Sequence, residues 1–325
     1  MADRPAVFVT RPLPDVVIDA LAVFAKPTVR QETLPMSRDE MAKVIAGYDA
    51  VLPTLGDPLG ATAYGGPVRS RLLANFGVGY NHIDVAAAEA AGIVVTNTPG
   101  AVTYATADIA ILLMLMAARR ASEGEITVRD GSWPGWHPTQ FLGLHVTGKT
   151  LGVIGMGRIG KAIARRCHFG FAMDVVFHNR SEVAECGVPG ARQLGSIEEV
   201  AARADVLSVS VPGGVANRHL IGRSVFDSMP EHAVFVNTAR GDVVDETALI
   251  EALEAGSIGS AGLDVYEFEP QVPNRLRALK NVSLLPHLGT AALEVRTDMG
   301  MMAVENLRAF FSGEALPNQV RPLVG

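Results

Sequence analysis

The chain has 325 residues, enough at ordinary domain sizes for about two domains, each with its own core. Hydrophobic residues make up 48% and charged residues 19%, which speaks against a disordered chain, and a net charge of −6 with no basic run speaks against a nucleic-acid partner. An anionic substrate must therefore be met by a local positive group.

The segment Met1–Pro5 lacks the basic region and apolar run of a signal peptide. Ala6–Thr10, Ala50–Pro53, Leu72–Phe76 and Ile93–Thr96 are short apolar runs and predict strands. Pro14–Ala25, Ser37–Gly47 and Val85–Ala91 predict the helices between them. That alternation predicts a parallel sheet covered on both faces. A long apolar helix follows over about Tyr104–Ala121. Its most apolar stretch, Ala107–Ala118, contains Asp108 and is too short to span a bilayer, so a cytoplasmic protein is expected. The irregular stretch Gly131–Gly143 carries Trp133 and Trp136. A second alternating series begins at Thr150. Its strands are Thr150–Gly155, Asp174–His178, Val206–Val211, Ala233–Asn237, Ser260–Val265 and Val282–Leu285, the six that a full dinucleotide-binding sheet requires. Cys167 and Cys186 have no metal-ligand spacing and read as buried thiols of a reducing compartment. No metal is expected. A last helix covers about Leu293–Phe311.

Gly155-Met156-Gly157-Arg158-Ile159-Gly160 fits G-x-G-x-x-G directly after an apolar strand and opens the helix Arg158–His168. In that setting Gly155 permits the tight turn, Gly157 lets amides approach a pyrophosphate, and Gly160 lets the helix lie close to the sheet. About 20 residues on, an acid would bind the ribose hydroxyls of NAD. This chain reads Asn179-Arg180-Ser181 there. A guanidinium and a hydroxyl beside a neutral amide suit a 2′-phosphate, so NADP is the expected cofactor, with NAD as the second choice.

Three later strand ends carry Arg240, Glu269 and His287. Arg can grip a carboxylate with two parallel hydrogen bonds, His can donate a proton near neutral pH, and a carboxylate beside His orients its ring. The set predicts an acid–base site for a carboxylate substrate at the carboxyl ends of the strands.

Together with Asn75–Asp84, Gly92–Pro99 and Gly148–Gly160, these stretches resemble the D-isomer-specific 2-hydroxyacid dehydrogenase family over nearly the whole chain. Trp133–Pro138 and His178–Ser181 make it most similar to the glyoxylate/hydroxypyruvate reductase branch. The resemblance implies two parallel α/β domains with a cleft between them. A Rossmann dinucleotide-binding domain, 101–288, would be inserted into a flavodoxin-like substrate domain, 1–100 and 289–325. It implies NAD(P)H-dependent reduction of a small 2-oxo acid to the D-2-hydroxy acid. Arg240 would bind the substrate carboxylate and carbonyl, His287 would protonate the carbonyl oxygen, and Glu269, rather than Glu267, would pair with His287. The amides of Val78 and Gly79 would hold the carboxylate, and Leu55 and Gly56 would line the pocket. Trp136 would reach the neighbouring active site in a homodimer. Thr106, Val211, Pro212, Thr238, Ala239, Asp264 and Gly289 would approach the cofactor.

The sequence also departs from the branch. Gly289-Thr290-Ala291-Ala292 replaces Gly-Ser-Ala-Thr, and Gly213-Gly214-Val215-Ala216-Asn217 replaces the usual Thr-Pro-Glu-Thr by the adenosine side of the cofactor. Pyruvate or aryl-pyruvate reductases, and a dinucleotide-sensing corepressor or scaffold, are the competing readings. The complete Arg–Glu–His set favours catalysis over a scaffold. Only 38 residues follow His287, which disfavours a phosphoglycerate dehydrogenase with a regulatory domain. Glu rather than Gln at 269 disfavours a formate dehydrogenase.

Overall fold

The computed structural model of the chain describes residues 4–321, so the start of the segment read for a leader, residues 1–3, lies outside the described residues. The chain divides into two compact units, Met1–Val102 with Ala291–Gly325, and Thr103–Thr290.

In the first unit β1 (Ala6–Val9), β2 (Lys26–Val29), β3 (Ala50–Leu52), β4 (Leu72–Ala74) and β5 (Val94–Thr96) pair in parallel in the order β2-β1-β3-β4-β5. The central strands are apolar on both faces because helices cover both. Helix α1 (Asp15–Ala22) buries Val17 and Leu21, one turn apart on one face. Helix α2 (Arg38–Gly47) starts at a capping box, in which the Glu40 amide donates to Ser37 Oγ and the Ser37 amide to Glu40 Oε2. Helix α3 (Val85–Ala90) is capped by Asp84, which accepts from the Ala87 amide.

The second unit opens with α4 (Thr103–Ala118) and α5 (Ala121–Arg129). Sequence periodicity predicts one helix through Ala121. Instead the chain breaks at Arg120, whose φ is +53°, and the Ala118 carbonyl accepts from the distant Leu144 amide at 2.7 Å. The sheet consists of β6 (Thr150–Ile154), β7 (Asp174–His178), β8 (Arg192–Gln193), β9 (Val206–Val209), β10 (Val234–Asn237), β11 (Ser260–Leu263) and β12 (Val282–Leu284). All neighbours are parallel, in the order β8-β7-β6-β9-β10-β11-β12. Counted within the unit, that is 3-2-1-4-5-6-7, the dinucleotide-binding order with one further strand. The six expected strands are all present, and β8 is the additional one. Helices α6 (Arg158–Phe171), α7 (Ile197–Ala201), α8 (Arg223–Ser228), α9 (Glu246–Ala255) and α10 (Asn274–Ala278) connect them. Two apolar cores lie in this unit. One is built on Phe226, Phe235 and Leu249, the other on α4, β6 and α6.

The chain then returns to the first unit. Helix α11 (Leu293–Ser312) buries Ala303, Val304 and Leu307 with Val17, Leu21 and Leu72, and β13 (Gln319–Val320) closes the sheet antiparallel to β5. Cys167 is buried, its thiol pKa pushed up to about 12 by that burial, whereas Cys186 is half-buried rather than buried; both are free thiols. Among the described residues no helix is long and apolar enough to cross a membrane, and no His, Cys, Asp and Glu side chains group to hold a metal.

Candidate active site

The glycine loop lies between β6 and α6. Gly155 has φ +94°, and a Cβ there would fall 2.7 Å from the Ser210 carbonyl oxygen. A Cβ at Gly160 would fall 2.1 Å from the Gly155 carbonyl oxygen, so only glycine lets the helix start this close to its strand. At Gly157 the same position meets nothing within 4 Å. Open space before the first turn of a 14-residue helix is the cradle that a pyrophosphate needs. Arg158 and Ile159 form that first turn. Nearby strand ends leave polar atoms unused. Ser210 Oγ and Thr238 Oγ1 are buried with no hydrogen-bond partner among the described residues. These features fit a dinucleotide.

Asn179 does more than stand in for an acid. Its Oδ1 accepts from the Met156 amide at 3.2 Å, and its Nδ2 donates to the Ser181 carbonyl and hydroxyl oxygens. The side chain thus ties the end of β7 to the glycine loop. Arg180 is exposed and makes no hydrogen bond or ion pair among the described residues.

The acid–base residues converge at the ends of β10, β11 and β12. His287 Nδ1 lies 2.9 Å from Glu269 Oε2, and the Tyr266 amide donates to Glu269 Oε1 at 3.0 Å. Burial opposes ionisation of Glu269. The hydrogen bond and charge of His287, the Tyr266 amide and the charge of Arg240 outweigh it, and the carboxyl sits below the usual glutamate value. His287 itself has φ +56°, a left-handed conformation rare for a non-glycine residue. Asp264 explains how it is held. The His287 amide donates to the Asp264 carbonyl oxygen at 3.0 Å. The Asp264 carboxylate accepts from the Leu288 and Gly289 amides at 2.6 and 2.8 Å. Thr106 Oγ1 donates to the Gly289 carbonyl oxygen at 3.3 Å. Thr106, Asp264 and Gly289, expected near the cofactor, are thus engaged with one another in fixing the histidine turn.

Arg240 follows an Asn237 that bridges its own turn, accepting from the Ala239 amide and donating to the Arg240 carbonyl oxygen, both at 3.0 Å. Burial pulls the guanidinium pKa below the ordinary arginine value, while the charges of Glu269 and Asp242 push it back up. Gly241 lies against the Tyr266–Glu267 peptide, where a Cβ would fall 1.9 Å from the Tyr266 carbonyl carbon. The arginine and glutamate turns therefore share one packed contact. Val211 and Pro212 extend from β9, with the Pro212 carbonyl oxygen accepting from Asn217 Nδ2 at 2.8 Å.

In the first unit, Asn75 Nδ2 donates to the Gly77 and Gly79 carbonyl oxygens, and Asn97 Nδ2 donates to that of Val78. With its carbonyls held, this turn leaves the Val78 and Gly79 amides without an acceptor among the described residues. Leu55 and Gly56 occupy an exposed turn after β3. Arg11 pins that turn by donating to Thr54 Oγ1 and to the Leu55 carbonyl oxygen at 2.9 Å. Trp136 is 79% exposed. The roles of Asn75, Asn97, Tyr266 and Asn237 were not apparent in the sequence. An Asn at the end of each of three strands was the available signal, and it becomes specific only when the partner groups are placed.

The family model described as "D-isomer specific 2-hydroxyacid dehydrogenase, NAD binding domain" matches residues 111–289. A glyoxylate reductase of Thermococcus kodakarensis is 39% identical over 321 residues, covering 98% of this chain and 96% of its own. One of Aeropyrum pernix is 40% identical over 322 residues with the same coverage. An NADPH-dependent glyoxylate/hydroxypyruvate reductase of Sinorhizobium meliloti, solved in complex with NADP and malonate, superposes with a TM-score of 0.87. It is 33% identical and covers 98% of this chain and 97% of its own. This chain belongs to the D-isomer-specific 2-hydroxyacid dehydrogenase family and is an oxidoreductase that acts on the CH–OH group of 2-hydroxy acids.

Proposed function

We propose that the chain reduces glyoxylate or hydroxypyruvate to the D-2-hydroxy acid, prefers NADPH, and uses His287 as its general acid. The observation that carries the mechanism is the 2.9 Å contact between His287 Nδ1 and Glu269 Oε2. With Nδ1 engaged, Nε2 is the atom left to meet substrate. A nicotinamide dinucleotide, when bound, supplies the hydride. His287 Nε2 gives its proton to the carbonyl oxygen, so that no alkoxide accumulates, and Glu269 stabilises the imidazolium before transfer. Arg240 grips the carboxylate and polarises the carbonyl. The amides of Val78 and Gly79 are assigned to the substrate carboxylate by resemblance. Leu55, Gly56 and the partner subunit's copy of Trp136 are assigned to pocket walls by resemblance.

The preference for NADPH rests on the absence of an acid at the end of β7 and on the uncommitted Arg180 beside Ser181. The Sinorhizobium relative solved with NADP supports it. The small substrates rest on the glyoxylate reductase relatives. A steady-state panel of glyoxylate, hydroxypyruvate, pyruvate and phenylpyruvate, each with NADPH and NADH, tests the reading. The expected result is highest kcat/KM for the two small substrates with NADPH. Highest efficiency with phenylpyruvate, or with NADH throughout, sinks it.

A further inference from the structure

We propose that Asp242 is a positioning residue for Arg240: it fixes the glycine loop after β9 against the stem of the arginine, so that the substrate meets a guanidinium held in one orientation. This rests on the reading of Arg240 as the carboxylate ligand.

The geometry lies in the Gly213–Asn217 loop. Asp242 Oδ2 accepts from the Gly214 amide at 2.8 Å. A Cβ at Gly213 would fall 2.7 Å from Asp242 Oδ1, 2.8 Å from Arg240 Cγ and 3.0 Å from Arg240 Cβ. Glycine at 213 thus lets the loop backbone lie directly on both the aspartate and the arginine stem. The loop is also held by bonds of its own. Its Asn217 amide donates to the Gly214 carbonyl oxygen at 3.0 Å, and Asn217 Nδ2 donates to the Pro212 carbonyl oxygen. Beyond it, the His219 amide donates to the Asp242 carbonyl oxygen at 2.9 Å. His219 Nε2 and Glu267 Oε1 lie 2.8 Å apart. Asp242 therefore receives the loop at both ends, through its carboxylate and through its own carbonyl. Asp242 Oδ1 is buried and has no hydrogen-bond partner among the described residues. That oxygen faces the contact between Gly213 and Arg240, and its charge acts on the guanidinium.

Two roles can be separated by substitution. Asp242→Asn keeps an oxygen to accept from Gly214 and removes the charge. Asp242→Ala removes both. Each variant is compared with wild type by kcat and KM for glyoxylate, by NADPH binding from protein fluorescence, and by thermal melting. Asp242→Asn should bind NADPH as wild type does and raise the glyoxylate KM about two- to tenfold, with a smaller change in kcat. Asp242→Ala should add a loss of about two- to tenfold in NADPH affinity, because the loop then loses its anchor. Gly213→Ala, which pushes on the arginine from the other side, should raise the same KM with Asp242 intact. Unchanged KM in both Asp242→Asn and Gly213→Ala, or a drop in melting temperature alone, overturns the proposal. A wild-type protein that reduces no 2-oxo acid overturns the reading of the site itself, before any variant is compared.

Discussion

Burial on its own would keep the Glu269 carboxyl protonated more readily than in water, yet the carboxyl is held below its usual value because His287, the Tyr266 amide and Arg240 all favour the anion. The sign of the consequence follows by linkage. A depressed carboxylate pKa contributes stability above the unfolded value, about 4.3 for glutamate, and the contribution is lost as pH falls through the folded value. The melting temperature of wild type should therefore exceed that of Glu269→Gln at neutral pH, and the gap should close in acid; a gap that widens in acid would contradict the pairing. The proposed proton transfer uses the same pair. Under the proposed mechanism, reduction takes a proton from the imidazole and oxidation returns one to it. His287→Ala should cost about 10²–10⁴-fold in rate while sparing cofactor binding. Near-normal reduction by His287→Ala would mean that another group supplies the proton. Arg180 offers a separate check on the cofactor. Its removal as Arg180→Ala should weaken NADPH by about 10- to 150-fold, the equivalent of one charged hydrogen bond, and leave NADH unchanged. Equal losses for both would show that Arg180 does not read the 2′-phosphate.

At the scale of elements, helix α6 can begin where it does only because residue 160 has no side chain. Gly160→Ala would place a carbon 2.1 Å from the Gly155 carbonyl oxygen, so helix and strand must separate. Overpacking of that kind costs about 1–3 kcal/mol, and the melting temperature should fall by about 2–4 °C for each kcal/mol. An unchanged melt and unchanged NADPH binding would show that α6 is not seated by that contact. The glycine pattern was legible in the sequence because its requirement is local, a strand, a turn and a helix within a dozen residues. The central strands were legible for a similar reason, being continuous apolar runs. What escaped were the short edges. β2 alternates exposed and half-buried residues, β8 and β13 have two residues each, and none carries an apolar run. The break between α4 and α5 escaped because its cause is distant. No Gly or Pro marks Arg119-Arg120, and the Ala118 carbonyl is taken by Leu144, 26 positions away. The site shows the same division. Arg240, Glu269 and His287 could be named from residue chemistry and resemblance. The parts that hold them, Asp264 on the Leu288 and Gly289 amides and Gly241 on the Tyr266–Glu267 peptide, depend on which strands lie side by side.

For the whole molecule, a net charge of −6 does nothing to draw in an anion, so an anionic substrate needs a positive group at close range. The distribution of exposed apolar side chains carries a second consequence. Of 16 large hydrophobic residues exposed among the described residues, seven fall between positions 104 and 142: Tyr104, Leu112, Ile126, Val128, Trp133, Trp136 and Leu142. That stretch is about an eighth of the chain by length, and helix α4 within it is largely apolar, with Asp108 paired to Arg166. A concentration of this kind is what a subunit interface would bury. We therefore expect a homodimer built on α4, α5 and the tryptophan segment, with Trp136 of each subunit serving its partner's site. Light scattering at micromolar protein should give twice the chain mass. Leu112→Glu should lower both that mass and the activity, since it asks the interface to bury an unpaired charge. Trp136→Ala should leave the mass unchanged and raise the glyoxylate KM, because it removes a pocket wall without touching the helix contact. If wild type is a monomer with full activity, or if Trp136→Ala behaves as wild type in both measurements, the exposed aromatic segment belongs to neither the interface nor the partner's pocket.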